Sequence, residues 1–428
     1  MKRDLNQKLI EWKNSQVRKP LIIQGARQVG KTWLMKNFGE QNFEKFVYLN
    51  FESSTRLKDL FIADYNIERI IATIEIETNQ KIDSKNTLLI FDEIQEADKG
   101  LTALKYFCEN APEYYIVAAG SLLGVSMQKK HSFPVGKVDF LSLYPMSFTE
   151  FLESNNESRL AAEIKNANWD LLNSFHDRLV EQLRLYYYIG GMPEAIYAYI
   201  QNKNLEVVRE IQDKILLGYA NDFAKYAPNK IVPKIKLVWN SIISQLSKEN
   251  KKFIYGQIKK GGRAKEFELA IAWLVDAGLI LKINNLSKPE LPLNAYAEFD
   301  NFKLYFLDIG LLNAMGGLEK QILLEKNAIL TEFKGALTEQ YVCQQLFPKS
   351  KLFYWSAPAG NAEIDFVFQK ENQVIPLEVK AEENLKAKSL KVFVDKFENK
   401  NALRTSMSKF RKEDWLTNIP LFAAESIA

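Results

Sequence analysis

Residues 25–32 read Gly-Ala-Arg-Gln-Val-Gly-Lys-Thr, directly after the apolar run Leu21-Ile22-Ile23-Gln24 and before a stretch from Thr32 with apolar residues at helical spacing. Strand, glycine-bounded loop and helix in that order match G-x-x-x-x-G-K-[ST] at every defined position. The pattern implies a phosphate cradle. Backbone N–H groups of Gly25, Ala26, Arg27, Gln28, Val29 and Gly30 would wrap phosphate oxygens, and the helix N-terminus would add partial positive charge. Lys31 would reach the β and γ phosphates and the Thr32 hydroxyl would take one position on Mg²⁺, so ATP and Mg²⁺ are the expected cofactors.

Such a loop needs an acid at the end of a neighbouring buried strand. Thr87-Leu88-Leu89-Ile90-Phe91-Asp92-Glu93 supplies one: the apolar run would deliver Asp92 to the magnesium shell and Glu93 to polarise an attacking water. A third polar position, Ser121, follows Ile116-Val117-Ala118-Ala119-Gly120, where it would contact the γ phosphate or cap the next helix. Apolar runs also occur at residues 46–51 and 115–119, with helical patterns between them. Strands alternating with helices predict an α/β domain built on a parallel sheet.

Composition removes several alternatives. Two cysteines, Cys108 and Cys343, and two histidines, His131 and His176, are too few for a disulfide framework, a Cys-rich zinc site or a motif-borne Ser-His-Asp hydrolase. The N-terminal stretch alternates charged and apolar residues, and no apolar run reaches the ~18 residues of a membrane span. A cytoplasmic location without a membrane partner is expected. With 57 basic against 53 acidic side chains, net charge carries no argument about partners, and local clusters must do so.

Three domains are predicted. Residues 1–220 form the P-loop domain with a helical lid, broken at Gly190-Gly191-Met192-Pro193. Residues 221–315 carry helices, including one over 264–277 that stops at Gly278, then two strands near 279–283 and 303–307, a winged-helix-like connector. Residues 316–428 begin with a helix over 335–346 and continue with strands at 351–355, 363–368 and 374–379, a second α/β unit with hairpin spacing.

Taken together, residues 25–32, the strand ending Asp92-Glu93-Ile94-Gln95, the Gly120-Ser121 turn and Tyr144-Pro145-Met146-Ser147-Phe148-Thr149-Glu150-Phe151 resemble prokaryotic AAA-type P-loop ATPases that carry a C-terminal domain of unknown function 4143. The resemblance continues through Gly190-Gly191-Met192-Pro193-Glu194, residues 219–222, Lys303-Leu304-Tyr305-Phe306-Leu307-Asp308-Ile309-Gly310-Leu311 and Glu378-Val379-Lys380. It implies an AAA-type fold and ATPase activity. This chain has Gly136-Lys137 where many relatives have Gly-Arg, which replaces a planar fork by a point charge at any arginine-finger position.

The C-terminal strands hold an acidic set. A turn at Glu371-Asn372 puts Asp365 opposite Glu378 and Glu363 opposite Lys380, and alternation places all four on one face, away from Ile364, Phe366, Leu377 and Val379. Opposed carboxylates repel, and a divalent cation would neutralise them. An Asp followed by Glu-x-Lys resembles the signature of metal-dependent nucleases with a restriction-endonuclease-like fold. In that resemblance Asp365 and Glu378 hold the metal, Lys380 stabilises charge or orients a water, and Glu339 matches an additional helical acid. The alternatives are a surface salt-bridge ladder and a catalytically dead binding scaffold.

Lysines also cluster over residues 248–265, a stretch suited to phosphate contacts, although Glu266, Glu268 and the stripe Ala270, Leu274 and Ala277 mark the helix there as a packing helix. Residues 386–412 are mildly basic as well. Two functions remain. One is an ATP-hydrolysing switch acting on a nuclease-like module associated with DNA or RNA. The other is an ATP-dependent regulator whose C-terminal domain binds a protein or DNA partner without catalysis. The oligomeric state is not fixed by the sequence.

Overall fold

The computed structural model describes residues 1–120, 134–248, 252–321, 331–358, 360, 362–381 and 387–428, with backbone alone at 331–333. Two compact units divide the chain: Lys2–Tyr144 with Asp276–Gly278, and Pro145–Val275 with Leu279–Ala428 and Met1.

In the first unit, strands β1 (Leu21–Gln24), β2 (Lys45–Asn50), β3 (Thr87–Asp92), β4 (Tyr115–Ala119) and β5 (Asp139–Ser142) form one sheet in the order β2-β3-β4-β1-β5. All pairings are parallel. Polarity tracks position. Every residue of central β3 is buried, whereas edge strand β2 alternates Val47 and Leu49 inward with Tyr48 and Asn50 half-buried. Phe51, Phe61, Phe91 and Phe107 pack ring to ring in the core beneath. The chain leaves β1 through helix Lys31–Asn42 to reach β2 at the far edge, while β5 lies on the other side of β1. The strand order therefore reverses at β1, and a ligand crevice is expected at the carboxyl end of that strand. Strand β5 has no counterpart in the expectations from sequence.

The first unit ends at Tyr144, not near residue 220. Helices Phe148–Ser154, His176–Ile189, Pro193–Asn202 and Leu205–Tyr226, expected as a lid on the ATPase, belong to the second unit. Buried hydrogen bonds explain the difference. Phe148 N donates to Gln345 at 2.8 Å, Thr149 Oγ1 to Glu425 at 2.6 Å, and Asn313 Nδ2 to the Tyr187 carbonyl at 2.6 Å. Left unmade, each would strand a desolvated polar group, so these helices are bound to residues far along the chain.

The second unit contains β6 (Ile280–Leu286), β7 (Ala297–Phe306), β8 (Phe353–Ser356), β9 (Glu363–Lys370), β10 (Gln373–Val379), β11 (Ala402–Ser406), β12 (Arg411–Lys412) and β13 (Leu416–Pro420). They make an eight-stranded mixed sheet in the order β12-β13-β11-β10-β9-β8-β6-β7. The β6–β7 hairpin is no separate wing: Asn284 and Asn285 pair in parallel with Phe353 and Tyr354, so the sheet runs across the boundary expected at 315/316.

The β9–β10 turn falls at Glu371-Asn372, with Lys370 opposite Gln373 and Phe366 opposite Leu377, the register expected from sequence. Toward β8 that register breaks, because Phe353 pairs with Val367 but Trp355 with Ile364. Three steps along β9 thus match two along β8, which is a bulge carrying one added residue. The bulge resets the faces. Ile364 and Val367 join Trp355, Leu390 and Phe393 in one core cluster, while the Phe366 ring meets Tyr305 at 5.7 Å.

Candidate functional site

The carboxyl end of β1 runs into a loop whose backbone is left-handed at Gln28 (φ 65°) and Gly30 (φ 95°). Gly25 (φ 147°) is required for space as well, since a Cβ there would lie 2.2 Å from the Leu143 carbonyl oxygen at the end of β5. Gly30, the N-cap of helix Lys31–Asn42, has no side chain to occupy the first N–H groups, which suits an anion-binding helix terminus. Arg3, buried, donates from Nη1 to the Val29 carbonyl at 2.8 Å and from Nη2 to the Tyr144 carbonyl at 2.6 Å, tying the loop to the end of the unit. Sequence reasoning missed Arg3, because nothing around it marks a charge that folds inward.

Lys31 is buried, with Nζ donating to the carbonyls of Gly25 at 2.9 Å and Ala26 at 2.7 Å. Burial brings its pKa down to about 8, partly offset by the charges of Glu93 and Asp92. Asp92, also buried, accepts at Oδ2 from Thr32 Oγ1 at 2.7 Å and from Tyr48 OH at 2.9 Å, and at Oδ1 from Glu93 N at 3.2 Å. Burial, followed by the neighbouring Asp92 charge, pushes the Tyr48 phenol up to about 12. Glu93 has a left-handed backbone (φ 53°), and its Oε2 accepts from Gln95 Nε2 at 2.6 Å.

The structure brings the loop, Lys31, Thr32, Asp92 and Glu93 together at the carboxyl ends of β1 and β3. A buried ammonium held by loop carbonyls, a hydroxyl on a carboxylate and an uncapped helix terminus fit a nucleotide's phosphates with Mg²⁺. Ser121 lies outside the described residues. Lys137, at the position of interest for an arginine finger, makes a 2.9 Å ion pair with Glu109.

The acidic set of the second unit is arranged differently from the expectation. Lys303 on β7 is fully buried, with Nζ 2.5 Å from Glu363 Oε1 and 4.0 Å from Glu339 Oε2, beneath the Tyr354 ring. Burial alone would lower its pKa, but Glu363, Glu339 and Asp365 together hold it above the ordinary value. Tyr305 OH donates to Glu339 at 3.2 Å. A lysine of the chain itself therefore sits among these acids, and Glu363 is paired with Lys303 instead of Lys380.

The expected single face for all four residues is also corrected. Leu377, opposite Phe366, shares the Tyr305 face, so alternation turns Glu378 to the other face, in register with Arg404. There Glu378 Oε1 pairs with Lys380 Nζ at 2.6 Å, while its buried Oε2 has no hydrogen-bond partner among the described residues. Asp365, at the bulge, accepts from Val379 N at 2.7 Å and so replaces a missing ladder bond. Among the described residues no group of three or more His, Cys, Asp or Glu side chains is arranged to hold a metal ion.

The later motifs prove to be joints. Asp308 Oδ2 accepts from Gly191 N at 2.6 Å and from Gln344 Nε2 at 3.1 Å, and its Oδ1 accepts from Leu311 N at 2.9 Å. A Cβ on Gly190 would lie 2.2 Å from Asp308 Oδ1, and one on Gly310 would lie 2.5 Å from the Ile189 carbonyl. Both glycines serve this close approach. In the basic stretch, Lys251 lies outside the described residues, and helix Ala264–Asp276 buries Phe267, Ala270, Ile271, Trp273 and Leu274 against the unit's interior.

Family models match along the chain: an AAA domain over residues 17–152, a domain of unknown function (DUF8612) over 180–322, and a domain of unknown function (DUF4143) over 334–423. The chain carries an AAA-type P-loop domain followed by DUF4143. Its AAA domain supports ATP binding and hydrolysis. Among solved structures, the chain is similar to the Walker-type ATPase PABY2304 of Pyrococcus abyssi at 12% identity, covering 73% of this chain and 95% of that one, with a TM-score of 0.46. It is also similar to the Aeropyrum pernix ORC1 protein in complex with DNA (11% identity, 73% and 90% coverage, TM-score 0.27). A third similar structure is Cdc6p from Pyrobaculum aerophilum (12% identity, 74% and 93% coverage, TM-score 0.26). No curated protein sequence matches the chain. Among the described residues no helix is long and apolar enough to cross a membrane.

Proposed function

We propose that this AAA-type chain is an ATP-hydrolysing switch whose nucleotide state governs a C-terminal module that holds a nucleic-acid or protein partner without cutting it. The observation that carries the first half is the convergence of Lys31, Thr32 and Asp92 at the end of β1 and β3. Backbone N–H groups of residues 25–30 and the Lys31 ammonium bind the phosphates, exchanging the loop carbonyls for phosphate oxygens. Thr32 and Asp92 hold Mg²⁺, which when bound offsets charge on the phosphate oxygens. Glu93 accepts a hydrogen bond from the attacking water, and the Gln95 amide fixes the direction of its carboxylate. Lys31→Ala should abolish nucleotide binding or turnover, and Glu93→Gln should bind ATP yet turn it over slowly. Full hydrolysis by Lys31→Ala would overturn the reading.

The second half rests on Lys303, whose ammonium pairs with Glu363 and lies 4.0 Å from Glu339, so that a cation of the chain already sits among these acids. One observation favours the competing reading, Mg²⁺-dependent cleavage by Asp365, Glu378 and Lys380 with Glu339 in support: the buried Glu378 Oε2 without a hydrogen-bond partner is an acceptor suited to a cation. Incubation of plasmid DNA and of RNA with the protein in Mg²⁺ or Mn²⁺, with and without ATP, separates the two. Cleavage that disappears in Asp365→Ala would replace the non-cutting reading, and intact polymer in every condition supports it.

A further inference from the structure

We propose that Tyr48 is a positioning residue for Asp92 and thereby sets how much Mg²⁺ the nucleotide site requires. The inference rests on the reading of this site as an ATPase. Tyr48 lies on edge strand β2, two residues before Asn50, which pairs with Asp92 in the parallel ladder. A diagonal neighbour at that distance is within reach of a tyrosine but not of a short side chain. Its hydroxyl donates to Asp92 Oδ2 at 2.9 Å, the same oxygen that accepts from Thr32 Oγ1 at 2.7 Å. Two O–H donors on one carboxylate oxygen, with the Glu93 N–H on the other, leave the carboxylate no freedom to rotate.

The phenol is itself held from two sides. Asn50 Nδ2 donates to its oxygen at 3.4 Å, and Lys36 Nζ sits 3.7 Å from the ring centroid. Lys36 follows Thr32 by one helical turn, so the same face of helix Lys31–Asn42 supplies both the hydroxyl that shares Asp92 and the cation that holds the ring. Neither phosphate-loop motif includes Tyr48 or Lys36. Asp92 can serve a metal shell only if its carboxylate keeps one orientation while Thr32 changes partners. With Thr32 engaged elsewhere, Tyr48 is, among the described residues, the side-chain donor left to keep it.

The test is Tyr48→Phe, which removes the hydroxyl and keeps the ring. ADP affinity is measured by fluorescence of an N-methylanthraniloyl derivative in EDTA and in Mg²⁺, and ATP hydrolysis is followed across a Mg²⁺ titration. The expected result is a rise of about five- to tenfold in the Mg²⁺ concentration for half-maximal hydrolysis, in the range for the loss of one hydrogen bond. The gain in ADP affinity given by Mg²⁺ should shrink by a similar factor, while metal-free ADP binding stays within about twofold. An unchanged Mg²⁺ dependence, or an equal loss of metal-free and metal-bound affinity, overturns the inference while leaving the ATPase reading intact. A wild-type protein that binds neither ADP nor ATP overturns both. Should Tyr48→Phe fail to fold, Lys36→Met carries the same test: a smaller shift in the same direction supports the role of Tyr48, and none overturns it.

Discussion

Thr32 Oγ1 donates to Asp92 Oδ2 across 2.7 Å, joining the last residue of the phosphate loop to the end of a strand sixty residues further on. Each motif alone is a local pattern, and this bond makes them one site. Asp92→Asn keeps the shape but puts an amide where a carboxylate oxygen accepts two hydroxyls. ATP turnover should fall about a hundredfold, since charge-assisted bonds are worth ~1.5–3 kcal/mol each. Steady-state hydrolysis checks the fall, and metal-free ADP binding should be far less affected.

Arg3 supports the loop from behind through the carbonyls of Val29 and Tyr144. Arg3→Ala leaves the loop carbonyl without its donor and should cost about 2 kcal/mol, in the range for hydrogen bonds to charged groups. Nucleotide KM should rise with it. Arg3→Lys should lie between wild type and Arg3→Ala, because one ammonium does not reproduce a fork that reaches two separate carbonyls. Thermal melting and steady-state kinetics on the three proteins give the order directly.

How much of this was legible in the chain depends on where the information sits. Strands β1, β3 and β4 are continuous apolar runs, and the β9–β10 turn falls where the period of two changes direction, so each is visible locally. Strand β5, Asp139-Phe140-Leu141-Ser142, mixes polarity and is a strand only because β1 offers it a free edge. The faces of the acidic set depend on one added residue in β9, and a bulge there leaves no composition signal, so Asp365 and Glu378 were expected together. Arg3, Tyr48 and Lys303 act through partners far away in sequence. An inward-turned charge looks like any surface charge until its partners are in place.

Lys303 and Glu363 form an ion pair that carries a stability prediction of its own, given that the lysine side chain is wholly buried. Lys303→Met leaves Glu363, Glu339 and Asp365 close together without their cation. Breaking one side of a buried pair costs about 3–5 kcal/mol, and denaturant unfolding should show a loss of that size. Adding Glu363→Gln to Lys303→Met should recover part of it, because the second change removes one of the uncompensated charges.

Asp308 gives the pH dependence. Burial raises its pKa from the ordinary 3.8 to about 6, against the hydrogen bonds from Gly191, Leu311 and Gln344 that favour the ionised form. The folded state therefore binds the proton more tightly than the unfolded chain does. That contribution to stability is fully present below pH ~4, is lost as pH rises through about 6, and is constant above. Two pKa units correspond to about 3 kcal/mol. Asp308→Asn removes the titrating group, and it also presents an N–H₂ or a single oxygen to Gly191 N and Leu311 N, so it should be less stable than wild type at pH 4.5. Between pH 4.5 and 7.5 the stability difference between wild type and variant should narrow as the wild type loses its proton. Urea midpoints for both proteins across that range check the sign, and parallel curves would show that Asp308 is ionised in the folded state throughout.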